Sequence, residues 1–259
     1  MALLTCDLAA PVARLTLSRP GKLNALSPAL LEELIEAARA LDARREVKVV
    51  IVSGEGRAFC AGFDLTSFAA QDADTPSPRE TADLGRRMAE AVTQMRALTI
   101  ARIHGHCVGG GLVLAAACDL RVAADDAVFS IPEVELGIPL AWGGIPRLVR
   151  ELGPAMTKEL VLTCRPFTPE EAHALGFVNR VVPAAELDPA IDALAAQLST
   201  RSALTLTATK AHVNAAAEEL ASTAGATRDA DVLAAAIADP ESRAAAVRYL
   251  ESRARGRSG

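Results

Sequence analysis

The strongest constraint on the fold lies between residues 12 and 53. Residues 12–17 alternate apolar and polar side chains, the period of a half-buried strand. Ser27-Pro28 then reads as a helix start, with Ser as the cap and Pro at the first helical position, where a missing amide costs no hydrogen bond. Leu30, Leu31, Leu34, Ile35, Ala38 and Leu41 recur at helical spacing and predict an amphipathic helix to about Ala43. Residues 48–53 form a β-branched run, expected as a buried strand that ends at Gly54-Glu55-Gly56. Strand, helix, strand in that order requires a right-handed parallel crossover, so an α/β fold follows.

The unit recurs. Residues 99–104 predict a third strand and residues 109–118 a glycine-initiated helix. Short strands are expected at 119–123, 128–131 and 178–182, the last after a helix set by Thr168-Pro169-Glu170-Glu171. Residues 71–79, rich in Asp, Thr, Pro and Ser, read as a mobile loop where a binding lid could sit. From about Pro189 the chain is Ala-rich and helical with no strand signal, so it divides into a core over 1–188 and a helical region over 189–259, frayed and basic at 253–259.

Composition narrows the function. The chain has 259 residues, enough for a full core without disulfide or metal staples. Hydrophobic residues at 51% exclude bulk disorder, and aromatics at 3% require a core packed from Ala, Leu, Val and Ile. A net charge of −5 argues against nucleic acid as a partner. The longest apolar run, residues 107–118, is too short to span a bilayer, so no membrane partner is expected. No basic segment precedes Asp7, so no signal peptide is expected either. The odd set Cys6, Cys60, Cys107, Cys118 and Cys164, without CxxC spacing, predicts reduced thiols and a cytoplasmic setting.

Two glycine-rich turns carry the chemistry. Gly56-Arg57-Ala58-Phe59-Cys60-Ala61-Gly62-Phe63-Asp64-Leu65 follows one predicted strand. His104-Gly105-His106-Cys107-Val108-Gly109-Gly110-Gly111-Leu112 follows another and opens a helix, where unpaired amides and the helix dipole favour negative charge. Neither matches GxGxxG, GxxxxGK[ST] or GxSxG, which disfavours a dinucleotide site, a P-loop and a hydrolase elbow. Alone, three glycines at a helix start fit tight helix–strand packing equally well.

With their neighbours these stretches resemble the enoyl-CoA hydratase/isomerase (crotonase) superfamily over nearly the whole chain. The matching stretches are Arg19-Pro20-Gly21-Lys22-Leu23-Asn24-Ala25-Leu26, Ala58 to Leu65, the Gly109-Gly110-Gly111 triplet and Cys118-Asp119-Leu120-Arg121-Val122-Ala123. Phe129-Ser130-Ile131-Pro132-Glu133-Val134-Glu135-Leu136-Gly137-Ile138, Gly143-Gly144, Arg147-Leu148 and Ala172 to Val182 complete them. The resemblance implies a crotonase-like spiral of ββα units, a C-terminal helical region that builds trimers or hexamers, and an acyl-CoA thioester as ligand. It implies no cofactor beyond the coenzyme A of the substrate. It assigns the thioester oxygen to the backbone amides of Phe63 and Gly110, which would stabilise an enolate. It also brings Lys22 near the coenzyme A phosphates or adenine, the backbone from Ala58 to Ala61 near the adenine, and Trp142 into the wall of the acyl pocket; a solvated loop lysine and a core-packed Trp are the alternative readings of those two residues.

The hydratases of the superfamily use two glutamates. One aligns with Glu133; the other position holds Val113, which cannot move a proton. Glu135 reads as a surface carboxylate and Asp64 as a helix cap. His104 and His106 would share one side of a strand end, where a packed, hydrogen-bonded role is the default. No acid stands at Ala141, eight residues after Glu133 and the place implied for the dienoyl isomerases, nor elsewhere in residues 137–142. One carboxylate suffices for a double-bond shift, taking a proton at C2 and returning it at C4. Isomerisation is therefore the leading expectation, ahead of weak hydration by Glu133 alone and of non-catalytic acyl-CoA binding.

Overall fold

The computed structural model describes residues 2–66 and 77–255. Among the described residues nine strands form two sheets. The larger has six, in the order β1 (Leu4–Asp7), β2 (Val12–Leu17), β3 (Val49–Gly54), β5 (Leu98–Ile103), β7 (Leu120–Ala124) and β9 (Arg180–Val182). All its pairings are parallel except β1 with β2. The smaller sheet is parallel throughout, with β4 (Ala58–Cys60), β6 (His106–Val108) and β8 (Val128–Ser130) in that order.

The two sheets share the chain in turn. β3 leads to β4 and then α2 (Pro78–Gln94); β5 leads to β6 and then α3 (Gly110–Ala117); β7 leads to β8 and then α4 (Gly144–Thr163). Each ββα unit thus gives one strand to each sheet and one helix, and the units stack as the expected spiral. Local signals set the elements. The Ser27 side chain accepts the amide of Leu30 at the start of α1 (Pro28–Asp42), which buries all six of the expected apolar positions. The β3 run is covered on both faces, Val50 and Val52 packing inside the spiral and Val49 and Ile51 against α6 (Leu187–Ser199).

Three boundaries differ from expectation. Residues 71–76 of the expected loop lie outside the described residues, but Ser77 caps α2 in a reciprocal box with Glu80, and Pro78 and Arg79 are its first turn. The 188/189 division falls inside α6, which packs through Leu187, Ile191, Leu194 and Ala195 on the outer face of the larger sheet. The chain end stays helical to Arg255 in α9 (Pro240–Arg255). α5 (Pro169–Ala174), capped by Thr168, precedes β9 as expected.

The remaining helices, α7 (Ala203–Leu220), α8 (Asp229–Ala238) and α9, return to the spiral. α7 is tied down by charge: buried Lys210 donates to the Ala97 carbonyl at 3.0 Å and to Asp119 Oδ2 at 2.7 Å. That carboxylate also accepts the Thr99 amide and hydroxyl at 2.7 and 2.9 Å. α8 packs Ala230 and Leu233 on Ala82 of α2. Among the described residues no helix is long and apolar enough to cross a membrane. Because Lys210→Ala leaves Asp119 without its cation in a dry site, the variant should lose about 3 kcal/mol in urea unfolding; a loss below about 1 kcal/mol would show the pair to be solvated.

Candidate active site

The carboxyl ends of the three strands of the small sheet meet at one cavity. Cys60 ends β4 and leads into Ala61-Gly62-Phe63-Asp64; Val108 ends β6 and leads into Gly109-Gly110; Ser130 ends β8 and leads into Pro132-Glu133. Residues from all three turns line a cavity of about 600 Å³. Ligands favour the carboxyl ends of parallel strands because the following turns converge there.

The first turn is braced by the segment before α1. The Ala61 amide donates to Leu23 O, Leu26 N to Gly62 O and Asp64 N to Leu26 O, at 2.8 to 2.9 Å. Buried Asn24 donates to the carbonyls of Glu55 and Ala58 and accepts the Arg19 amide. Arg19 closes the brace, pairing with Asp64 at 2.8 Å and donating to the Ala25 carbonyl. Burial raises the pKa of Asp64, but hydrogen bonds from Thr66 and Arg19 outweigh it and hold the carboxyl below its ordinary range. Asp64 also accepts the Thr66 amide and hydroxyl, so it braces the turn; the helix it was expected to cap lies outside the described residues.

The turns after β4 and β6 touch. A Cβ built on Gly62, whose φ is +88°, would lie 2.8 Å from the Val108 carbonyl oxygen and 3.5 Å from the Gly110 nitrogen. Gly110 is the first residue of α3, and amides of a first helical turn have no carbonyl partner within the helix. The second and third turns are joined by the Gly109 amide, which donates to Ser130 O at 2.9 Å.

Glu133 lies directly on the glycine turn. A Cβ on Gly109 would be 2.3 Å from its Oε1, so a side chain there would displace the carboxyl. Oε2 is shielded from solvent without a hydrogen-bond partner among the described residues. Burial, opposed in part by its own backbone amide, pushes the Glu133 carboxyl up from 4.5 to about 7. Val113 is fully buried on α3 and lines the same cavity; a Cβ on Gly144 would lie 2.9 Å from its Cγ2.

Trp142 forms another wall. Its indole meets the Phe63 ring edge-on, with centroids 6.0 Å apart at 86°. It fills a slot between α2 and α3 that two glycines leave open: a Cβ would come within 2.0 Å of the indole from Gly85 and 2.4 Å from Gly110. The remaining lining is largely apolar, with Leu65, Leu136, Ile138 and Leu140 prominent.

Of the residues expected at the site, Ala61, Phe63, Gly110, Val113, Glu133 and Trp142 come together around the cavity. Lys22 is exposed in a short 3₁₀ turn next to Leu23, which does line it. Ala58 does not reach the cavity: it is buried in β4, and its carbonyl is engaged by Asn24. The two histidines part company, because Gly105 breaks the strand with φ +54°. His104 bonds to Arg102 and to the Gly56 carbonyl, and burial lowers its pKa against the pull of that carbonyl. His106 lies in the second sheet and lines the cavity. Glu135 is an exposed loop residue. The five cysteines are free thiols, and burial pushes Cys60 and Cys118 up to about 12, far from thiolate chemistry.

Sequence reasoning missed Thr81 and Ala82 from α2, Leu233 from α8, and Tyr249, Leu250 and Ser252 from α9, all of which line the cavity. The C-terminal helices thus cover the site of their own chain. Nothing in an Ala-rich amphipathic stretch encodes where it docks, although the lone Tyr was a signal that could have been followed.

The spiral of ββα units is the crotonase fold: an enoyl-CoA hydratase structure from Mycobacterium avium subsp. paratuberculosis K-10 superposes with a TM-score of 0.87 over 95% of this chain and 98% of its own, at 26% identity. The sequence model of the enoyl-CoA hydratase/isomerase family matches residues 7–256, and the chain belongs to that family of enzymes. A peroxisomal Delta(3,5)-Delta(2,4)-dienoyl-CoA isomerase of Arabidopsis thaliana is 39% identical over 211 residues, covering 77% of this chain and 76% of its own. A crotonyl-CoA hydratase of Syntrophomonas wolfei subsp. wolfei is 35% identical over 204 residues, covering 78% of each chain.

The raised pKa has a consequence for stability. Between pH 4.5 and about 7 the folded protein holds a proton on Glu133 that the unfolded chain has released. Stability from this group is complete below 4.5 and is lost as pH rises through about 7. Glu133→Gln removes the dependence, so in urea unfolding the variant should gain about 2 kcal/mol on the wild type between pH 5 and pH 8. A gap that stays constant with pH would mean that the carboxyl is solvated and ionised throughout.

Proposed function

We propose that the protein shifts the double bond of an enoyl-CoA thioester from the 3 to the 2 position, with Glu133 as the one proton shuttle. The composition of the cavity wall carries this reading. Glu133 is the single carboxylate lining the cavity among the described residues, and positions 113 and 141, where relatives with more acids would hold them, are an apolar Val and Ala in the same wall.

The chemistry follows from that wall. The Glu133 carboxylate removes a proton from C2 of a 3-enoyl thioester; the electron pair of that C–H bond forms a C1–C2 double bond and the carbonyl pair moves onto the thioester oxygen, giving a dienolate conjugated with the C3–C4 double bond. The backbone amides of Phe63 and Gly110 donate to this oxygen; a preorganised donor of this kind is worth about 3 kcal/mol of barrier. The protonated Glu133 then delivers the same proton to C4, leaving the double bond between C2 and C3. No water is consumed, and no second acid is needed. Val113 supports the reading twice over: it occupies the place of a water-activating acid, and its apolar surface helps hold the Glu133 pKa near the pH where a base both ionises and gives its proton back.

The relatives bear both names, one an isomerase of dienoyl-CoA and one a hydratase of crotonyl-CoA. Hydration by Glu133 alone is therefore the second reading, and acyl-CoA binding without turnover the third. The coenzyme A arm belongs to the substrate, with Ala61 lining its path and exposed Lys22 available to its phosphates. We also propose a homotrimer, alone or stacked as a hexamer; Leu204 and Leu220 of α7, 78% and 81% exposed, are apolar surface of the kind such contacts cover.

The assay pairs 3-hexenoyl-CoA with crotonyl-CoA. Wild type should isomerise the first and leave the second unhydrated. Glu133→Gln should lose about 10³-fold or more in turnover. The wild-type kcat/KM should rise with pH and reach half its maximum near 7, because the base must be ionised. Val113→Glu should gain hydration of crotonyl-CoA. Wild-type hydration faster than isomerisation would establish the second reading, and tight binding of both esters without turnover the third.

A further inference from the structure

Trp142 and the residue after it hold an unusual backbone. Both lie in the left-handed region, Trp142 at φ +65° and Gly143 at φ +66°. Glycine adopts that region freely, but a bulky residue does so only when its surroundings enforce it. Arg147 donates to the Gly143 carbonyl at 3.1 Å and the Gly144 amide to the Ala141 carbonyl at 3.0 Å, and two further contacts enforce the turn. The indole is wedged between the bare Cα atoms of Gly85 and Gly110. The Gly143 amide donates to Asp229 Oδ2 at 2.8 Å. Asp229 is the first residue of α8, 86 positions further along, and half-buried. A carboxylate accepting an amide in a partly dry site is a strong hydrogen bond. α8 is itself held over the cavity, with Leu233 in the lining, Ala230 on Ala82 and Asp231 paired with Arg79 at 3.0 Å.

We propose that Asp229 is a positioning residue for acyl-chain selection: by holding the Gly143 amide it keeps the Trp142 indole in the Gly85–Gly110 slot, so the C-terminal helices set how long an acyl chain the cavity admits. The proposal rests on the acyl-CoA reading above. One end of the left-handed pair is held by the slot, and the other by the carboxylate at its amide and by Arg147 at its carbonyl. Without the carboxylate the turn relaxes toward ordinary backbone, and the indole no longer stops the chain. The same indole meets the Phe63 ring and lies against Gly110, so this wall borders both turns that carry the two amides.

The test measures dissociation constants of saturated butyryl-, hexanoyl-, octanoyl- and decanoyl-CoA by calorimetry, which needs no turnover. Trp142→Ala should shift the decanoyl-to-butyryl affinity ratio toward decanoyl by about tenfold or more, the scale of one to a few methylenes in an apolar pocket. Asp229→Ala should shift it in the same direction. Asp229→Asn, whose amide oxygen accepts the same bond, should restore the wild-type ratio. A ratio unchanged in Asp229→Ala, or an equal shift in Asp229→Asn, overturns the proposal while leaving the acyl-CoA reading intact. A wild type that binds none of the four esters overturns both.

Discussion

Three short parallel strands, paired side by side in the order β4, β6, β8, force their carboxyl ends to adjoin, and every feature of the site descends from that adjacency. Residues 58–60, 106–108 and 128–130 are far apart in sequence, yet pairing across two ladders brings the turns after them into contact. The Gly62 turn meets the Gly110 nitrogen, and Glu133 lies against Gly109. The ladders do not stop at the last paired residue: Gly109 still donates to Ser130, which fixes the third turn against the second. A shift of one residue in either register would turn the glycines away from the cavity and put side chains where the carboxyl now lies.

The surroundings of Glu133 show what the arrangement does energetically. A carboxylate in an apolar wall is costly to ionise, and the cost appears as a pKa near 7 instead of 4.5. For folding this is a loss at neutral pH. For the proposed proton transfer it is an advantage, because a base of that strength accepts and returns a proton with little driving force either way. Asp64 provides the contrast. It is also poorly exposed, but Arg19 and Thr66 satisfy it, so it stays ionised and serves to brace the turn. Hydrogen bonding, more than burial, separates the bracing carboxylate from the one with the raised pKa.

Much of this was legible in the sequence. The α1 cap at Ser27, the β3 run and the glycine opening of α3 are local signals, and local signals survive folding when tertiary contacts agree with them. Glu133, Val113, Phe63 and Gly110 were found because ordered stretches resembled a known superfamily, not because their spacing implied a shared cavity. What escaped was set by long-range packing. Ala58 faces the core because β4 is buried on both sides. The strand broke at Gly105, so His104 and His106 do not share a face. The docking of α8 and α9 over their own cavity depends on Leu233, Tyr249 and Leu250 finding partners from across the chain, and no periodicity records that.

In the proposed reaction two main-chain amides from separate turns bind one thioester oxygen beside a single acid. A crystal structure of the wild type with a bound saturated acyl-CoA tests it most directly. The thioester oxygen should lie within hydrogen-bonding distance of both the Phe63 and Gly110 nitrogens, with C2 of the acyl chain facing the Glu133 carboxyl. A thioester oxygen bound to neither nitrogen, or an acyl chain lying outside the cavity lined by Glu133, Val113 and Trp142, would contradict it.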